Sequence, residues 1–311
     1  MRVLMLMFAL AVVAGVADAG PSLGGCPMFP VDNVWNAPID TLPVATESAT
    51  WMASIGSNTI VRAYFGTDPS YGMPYATAAQ GTPLVTVAFS ANDEGDYGSY
   101  PFWQGMQISY GDGLALVLLQ GDCKLYETYD TQYSGGSWTA DSGAEYDLHS
   151  DALRQDGWVS ADAAGLPVLP GLVRYDEVAA GHIDHALRFG NNAVRAAHIW
   201  PARHDAGAST DPALPPYGAR LRLRADFPEV GLGPQALVIV QALKKYGMFL
   251  ADRSGSVLWI SGASNSHWNV SGLLQAFQAM HASDFEVVDE SGLMVTSYSG
   301  EARIFANGFE P

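Results

Sequence analysis

Apolar residues in this chain fall into short runs broken by Gly, Ser, Asn and Asp, the pattern of a protein built mainly from short strands. The clearest is a hairpin: residues 114–119, then Gly121-Asp122, then residues 124–129. In its second arm Lys124, Tyr126 and Thr128 alternate with Leu125, Glu127 and Tyr129. Residues 84–89 form another strand-like run, followed by an acidic turn over 91–96. That turn lacks the full ligand spacing of a calcium loop and reads as solvated. Residues 219–225 alternate strictly, with Arg220, Arg222 and Arg224 on one face and Leu221 and Leu223 on the other. Residues 248–251 and 257–261 frame Asp252-Arg253-Ser254-Gly255-Ser256 as a second hairpin. Residues 285–289 and 293–296 predict a third around Ser291-Gly292.

Helical spacing is rarer. Helices are predicted over about 48–55, capped by Ser48 or Thr50, over 235–246, ended by Gly247, and over about 271–281. Residues 20–75, rich in Pro, Asn, Asp and aromatics, predict an irregular lead-in with its own apolar anchors. The expected fold is mainly β: a jelly-roll-type β-sandwich with a few appended helices, forming one domain over residues 20–300 ahead of a tail at 301–311.

Residues 1–19 are set apart from that domain. Arg2 precedes an apolar run over 3–16, and Ala17-Asp18-Ala19 fits a small-residue cleavage site, so a secretory signal peptide is expected. The run is shorter than the ~20 residues of a spanning helix, and the chain is expected to be secreted or periplasmic, with no membrane contact after cleavage. Export makes Cys26 and Cys123, the only two cysteines, the expected disulfide.

The formal net charge of −17 argues against nucleic acid as a partner. Against that background, residues 147–224 collect five of the seven histidines and eight of the fifteen basic residues, all eight of them arginine.

Residues 165–178 with 182–189, together with Trp200-Pro201-Ala202-Arg203-His204 and residues 242–248, resemble a group of uncharacterised secreted bacterial proteins across nearly the whole mature chain. No activity is established for that group, so the resemblance assigns no residue a role. The end of the chain, residues 304–311, looks like short C-terminal tails of other secreted Gram-negative proteins.

Several constellations in the 147–224 segment carry chemistry. His182-Ile183-Asp184-His185, with His198 and His204, invites a zinc reading, but neither a Cys/His signature nor HExxH is present, and no metal or other cofactor is expected. His182 is expected in a turn opened by Gly181; an extended 199–204 would put His198, Trp200 and His204 on one face, against which Pro201 argues for an edge or bulge. Asp147, Asp176, Glu177 and Asp184 can supply the paired carboxylates of glycoside hydrolysis, or else pair with Arg174 and Arg188 as structural ion pairs. An arginine row at 220, 222 and 224 can cradle sugar carboxylates for uronate elimination, or be a solvated edge face. Tryptophans in Gly- and Pro-rich loops suit stacking on sugars, or are core.

The expected function is that of a secreted, monomeric carbohydrate-active enzyme cleaving an extracellular polysaccharide, by hydrolysis first and lyase-type elimination second. Its rival is a non-catalytic carbohydrate-binding or cell-surface protein. In the enzyme reading Asp147 and Asp176 or Glu177 are acid and base, His185 and His204 orient or shuttle protons, and Arg188, Arg203, Trp200 and Trp158 bind substrate.

Overall fold

The computed structural model describes residues 20–303 apart from 69 and 91–93. The expected signal peptide at 1–19 and most of the C-terminal tail lie outside the described residues. The described chain is mainly β, with several sheets and a few helices.

The hairpin Ala115–Leu119 with Lys124–Tyr129 forms as expected and is the centre of a four-stranded sheet, flanked by Ser142–Asp147 and Ala76–Ala78. All five residues of Ala115–Leu119 are buried, because both faces of this sheet are covered. Leu116 and Leu118 face the main core, while Ala115, Val117 and Leu119 belong to a second, smaller core. Across that second core lies another four-stranded sheet, ordered Ser99–Tyr100, Val85–Phe89, Ser137–Ala140 and Gln132–Ser134, which contributes Val87, Tyr100, Trp138 and Ala140. The Cys26–Cys123 disulfide is present and ties the lead-in to the turn of the hairpin.

Five strands of the C-terminal half and one from the N-terminal part build a six-stranded mixed sheet in the spatial order Phe285–Val287, Arg220–Leu223, Met248–Asp252, Leu187–Gly190, Leu258–Ser261, Val61–Tyr64. Here the structure corrects the predicted second hairpin. Met248–Asp252 and Leu258–Ser261 do not pair; Leu187–Gly190 lies between them, parallel to the first and antiparallel to the second. Both apolar runs are strands, but their short separation in sequence does not make them neighbours. The third hairpin is also absent: Phe285–Val287 pairs with Arg220–Leu223, and residues 293–296 form no strand. Parallel pairs occur in each of the three larger sheets, so this order does not establish the antiparallel connectivity of a jelly roll.

The helices lie close to their expected places at Ser48–Ile55, Pro234–Lys245 and Val270–Gln278, with a short fourth at Tyr175–Ala180. Neither Ser48 nor Thr50 caps the first; the N-cap is Glu47, and the Ser48 hydroxyl accepts the Val287 N–H at 2.9 Å instead. Among the described residues, no helix is long and apolar enough to cross a membrane.

The arginine row is the largest departure from the expected surface. Arg220 is fully buried and Arg222 nearly so, and their guanidinium groups are spent on the lead-in segment. Arg220 donates to the carbonyls of Val34, Ala37 and Tyr246 and pairs with Glu290 at 2.8 Å. Arg222 donates to the carbonyls of Ile39 and Leu42 and pairs with Glu286. Backbone that never joins a sheet still needs partners once it is buried, and these two forks supply them. Arg224 alone is exposed, paired with Asp226.

Candidate functional site

A cleft of about 660 Å³ opens where the six-stranded sheet meets the loop over 159–163 and the strand ends around Tyr129 and Asp141. Asp252, the last residue of Met248–Asp252, lines it together with Arg253 and Ser254; the parallel strand Leu187–Gly190 ends beside it, so that Gly190 faces Asp252 across a register shift. Crevices beyond the carboxyl ends of parallel strands are favoured places for ligands, and a bulge there re-aims the side chain that follows it. Gly190 has a steric reason to be glycine: a Cβ would stand 2.2 Å from the Ser254 hydroxyl. The N–H groups of Asn191 and Asn192 then hold the turn, donating to the carbonyls of Asp252 and Gly255.

Asp252 keeps some solvent contact through the cleft but is otherwise enclosed. Burial raises its carboxyl to about 6; Arg188 pulls the other way, while Asp162 and Asp112 add repulsion and the Arg253 N–H adds a stabilising hydrogen bond.

One wall is the 160–166 loop, organised around Asp162. One carboxylate oxygen accepts the N–H groups of Ala164 and Leu166 and the Ser160 hydroxyl; the other takes Arg188 at 2.9 Å. Loss of hydration still pushes the Asp162 carboxyl above its ordinary value, against the pull of Arg188 and the backbone donors. Gly165, in the left-handed region at φ 67°, lets this loop approach His204, whose N–H donates to Ala164. The His204 Nδ1–H donates to the Ala163 carbonyl at 2.9 Å, which leaves Nε2 available at the cleft, 4.0 Å from Glu94. Asp112, Asp141 and Tyr129 line the rest, with Asp141 fixed by the Ser90 hydroxyl. This collection places several carboxyl groups and an imidazole in one water-accessible space.

Of the residues expected to act, His204 is the one that lines this cleft. Asp147 ends the strand Ser142–Asp147, accepts the His149 N–H and lines a separate depression with Trp158. Asp176 and Glu177 border a third depression beside His182 and Asp184. The structure therefore does not bring Asp147 together with Asp176 or Glu177 as an acid–base pair.

Glu177 is held by Arg174 at 2.5 Å and by His185 Nε2 at 3.1 Å. Burial would raise its carboxyl, but His185 and Arg174 outweigh that and hold it below its ordinary value. His185 is fully buried, with Nδ1 facing the Ala186 carbonyl and Nε2 facing Glu177. His182 follows the left-handed Gly181 cap, as expected.

The expected substrate contacts are equally structural. Arg188 is buried, bound to Asp162 and Ser261. Arg203 donates to the carbonyls of Arg154 and Ser297. Residues 199–204 are not extended: the strand Arg195–His198 stops before a turn at the cis Trp200–Pro201 bond, and the Trp200 indole donates to the Ser299 carbonyl. Trp158 packs against the Arg154 guanidinium. Among the described residues, no group of three or more His, Cys, Asp or Glu side chains is placed to hold a metal ion.

Asp252, Asp162, Asp112 and Asp141 were not singled out from the sequence. A signal existed for the first: the apolar strand Met248-Phe249-Leu250-Ala251 runs directly into an acid. For Asp162 the hint was an isolated carboxylate in a loop of small residues, Ser160-Ala161-Asp162-Ala163-Ala164-Gly165. No protein-family model, curated protein or solved structure matches the chain.

Proposed function

We propose that the protein is an extracellular glycoside hydrolase and that the Asp252 cleft is its active site. The observation that carries this reading is a carboxyl raised to about 6 at the base of a cleft that also holds Asp112 and Asp141. An acid of that strength is still partly protonated near neutrality, which suits it to deliver a proton to a leaving glycosidic oxygen. In the proposed step the bond from the anomeric carbon to that oxygen breaks as Asp252 protonates the oxygen. Water adds to the anomeric carbon, and its proton passes to Asp112, Asp141 or His204 Nε2.

The charge of the cleft narrows the substrate. Glu94, Asp112, Asp141, Asp162 and Asp252 outnumber Arg253 and His204. A polymer of neutral sugars fits such a lining, whereas a uronate polymer is repelled. Lyase-type elimination loses the support of the arginine row, which is spent inside the fold. The disulfide is compatible with an extracellular setting.

The test is a panel of neutral and uronate-containing polysaccharides, read for reducing ends and for ultraviolet absorbance together. Reducing ends without absorbance, lost in Asp252→Asn, are expected. Absorbance from uronate polymers would favour elimination, and release of no product across the panel would remove the hydrolase reading.

A further inference from the structure

We infer that the outer four-stranded sheet carries a second glycan site, an aromatic groove that binds an extended, uncharged sugar chain. The groove has a volume of about 530 Å³ and runs over the strands Val85–Phe89 and Ser137–Ala140. Its lining shares no residue with the cleft.

Two aromatic rings present surface here: Trp103 and Tyr133 are each 38% exposed. Tyr133 is held in place: it packs on Trp138 with centroids 4.7 Å apart, and Trp138 packs in turn on Phe102 at 5.2 Å. Trp138 is itself buried in the second core, so the Tyr133 side of the groove is anchored before any ligand arrives. Held rings offer stacking area at little entropic cost. The lining also includes Thr86, Gln104 and Ser137, uncharged groups able to donate to and accept from hydroxyls.

The charge of the lining decides the class of occupant. In a chain of net charge −17, none of the ten lining residues is Asp, Glu, Lys, Arg or His. Phosphate, uronate and basic peptide would find no counter-charge there; apolar ring faces edged with hydroxyls and an amide match a neutral sugar.

The strand that supplies Ser137 and Trp138 ends at Ala140, and the next residues in the chain, Asp141 and Ser142, line the cleft. The choice of sugar as ligand leans on the hydrolase reading, but the binding does not require cleavage.

Affinity electrophoresis of the full chain through gels containing soluble β-glucan, xylan, galactomannan or polygalacturonate tests the site, with the wild type, Asp252→Asn, Trp103→Ala and Tyr133→Ala run side by side. Retardation by at least one neutral polymer is expected for the wild type and for Asp252→Asn, with none by polygalacturonate. Trp103→Ala and Tyr133→Ala are each expected to weaken it about tenfold. A tryptophan emission change when a neutral hexasaccharide is added to the wild type gives the same answer should either variant misfold. Retardation of wild type without any cleavage would sink the hydrolase reading and leave the groove standing. Cleavage with no retardation by any neutral polymer, or retardation unchanged in both folded aromatic variants, overturns the groove.

Discussion

Arg188 and Asp162 form an ion pair at 2.9 Å in which both side chains are almost wholly buried. The pair joins the centre of the six-stranded sheet to the loop that forms the cleft wall, and its two members act on Asp252 in opposite senses. Breaking such a pair leaves an uncompensated buried charge. Arg188→Leu is therefore expected to cost about 3–5 kcal/mol in chemical denaturation. Any folded fraction should keep its activity to a higher pH, since losing the Arg188 charge lets the Asp252 carboxyl rise further. Wild-type stability in this variant would show that the pair is not a structural tie.

Asp252 sets the expected pH profile. As the proton donor, it must hold its proton, so activity should fall as pH rises through about 6. Asp252→Asn should lose about 10²–10⁴-fold in kcat on any cleaved substrate. The alkaline limb is the sharper test: a profile unchanged up to pH 9 would exclude Asp252 as the acid, whatever the asparagine variant did.

Much of the architecture was legible in advance because it is local. The hairpin at 115–129, the helices and the disulfide follow from alternation, spacing and a count of two. What failed was non-local. The turn at 252–256 looks like a hairpin loop, yet Leu187–Gly190, from some sixty residues earlier, inserts between its arms. The same blindness hid the cleft: Asp252, Asp162 and Asp112 meet through tertiary packing, while the richest local cluster, around His182 to Arg188, turned out to be spent on internal pairing. Period two correctly put Arg220 and Arg222 on one face, but the alternation alone does not say which face meets solvent, and both sides of that strand are covered.

Arg220 is expected to resist conservative replacement. Its planar fork serves three carbonyls and Glu290 at once, which an ammonium cannot reproduce. Arg220→Lys should lower stability by several kcal/mol, about 3–5 on the scale of a broken buried pair. It should also make the 33–42 segment susceptible to limited proteolysis at a temperature where the wild type resists. Cleavage patterns identical to wild type would show that this segment does not depend on the fork.

Reduction should weaken the fold substantially. Cys26 and Cys123 are 97 residues apart in sequence. Closing a loop of that length limits the unfolded chain by up to about 4.7 kcal/mol in the chain-entropy model. The Cys26→Ser/Cys123→Ser variant should lose about 2–4 kcal/mol, measured by denaturation at fixed pH, and its loss should match that of reduced and alkylated wild type.

Glu127 gives the last expectation, and its sign is opposite to that of an ordinary salt-bridged acid. The carboxylate lies wholly inside the protein, below the short helix Leu169–Gly171, accepting the N–H groups of Val168 and Leu169. Burial raises its carboxyl from the usual 4.5 to about 7; the two backbone donors oppose that rise and Asp162 adds to it. Folded protein therefore holds this proton where unfolded chain has released it. Below about 4.5 both states are protonated and Glu127 adds no pH dependence. As pH rises from there to about 7 the folded state is penalised progressively, reaching about 3 kcal/mol above the window. Glu177, held below its ordinary value by His185 and Arg174, works the other way: its contribution is present above the unfolded value and lost as pH falls. Glu127→Gln keeps an oxygen for the two N–H groups but cannot ionise. Urea denaturation at pH 5 and pH 8 should show the wild type losing more stability over that interval than the variant does. Equal losses would mean that Glu127 keeps the same charge in both states.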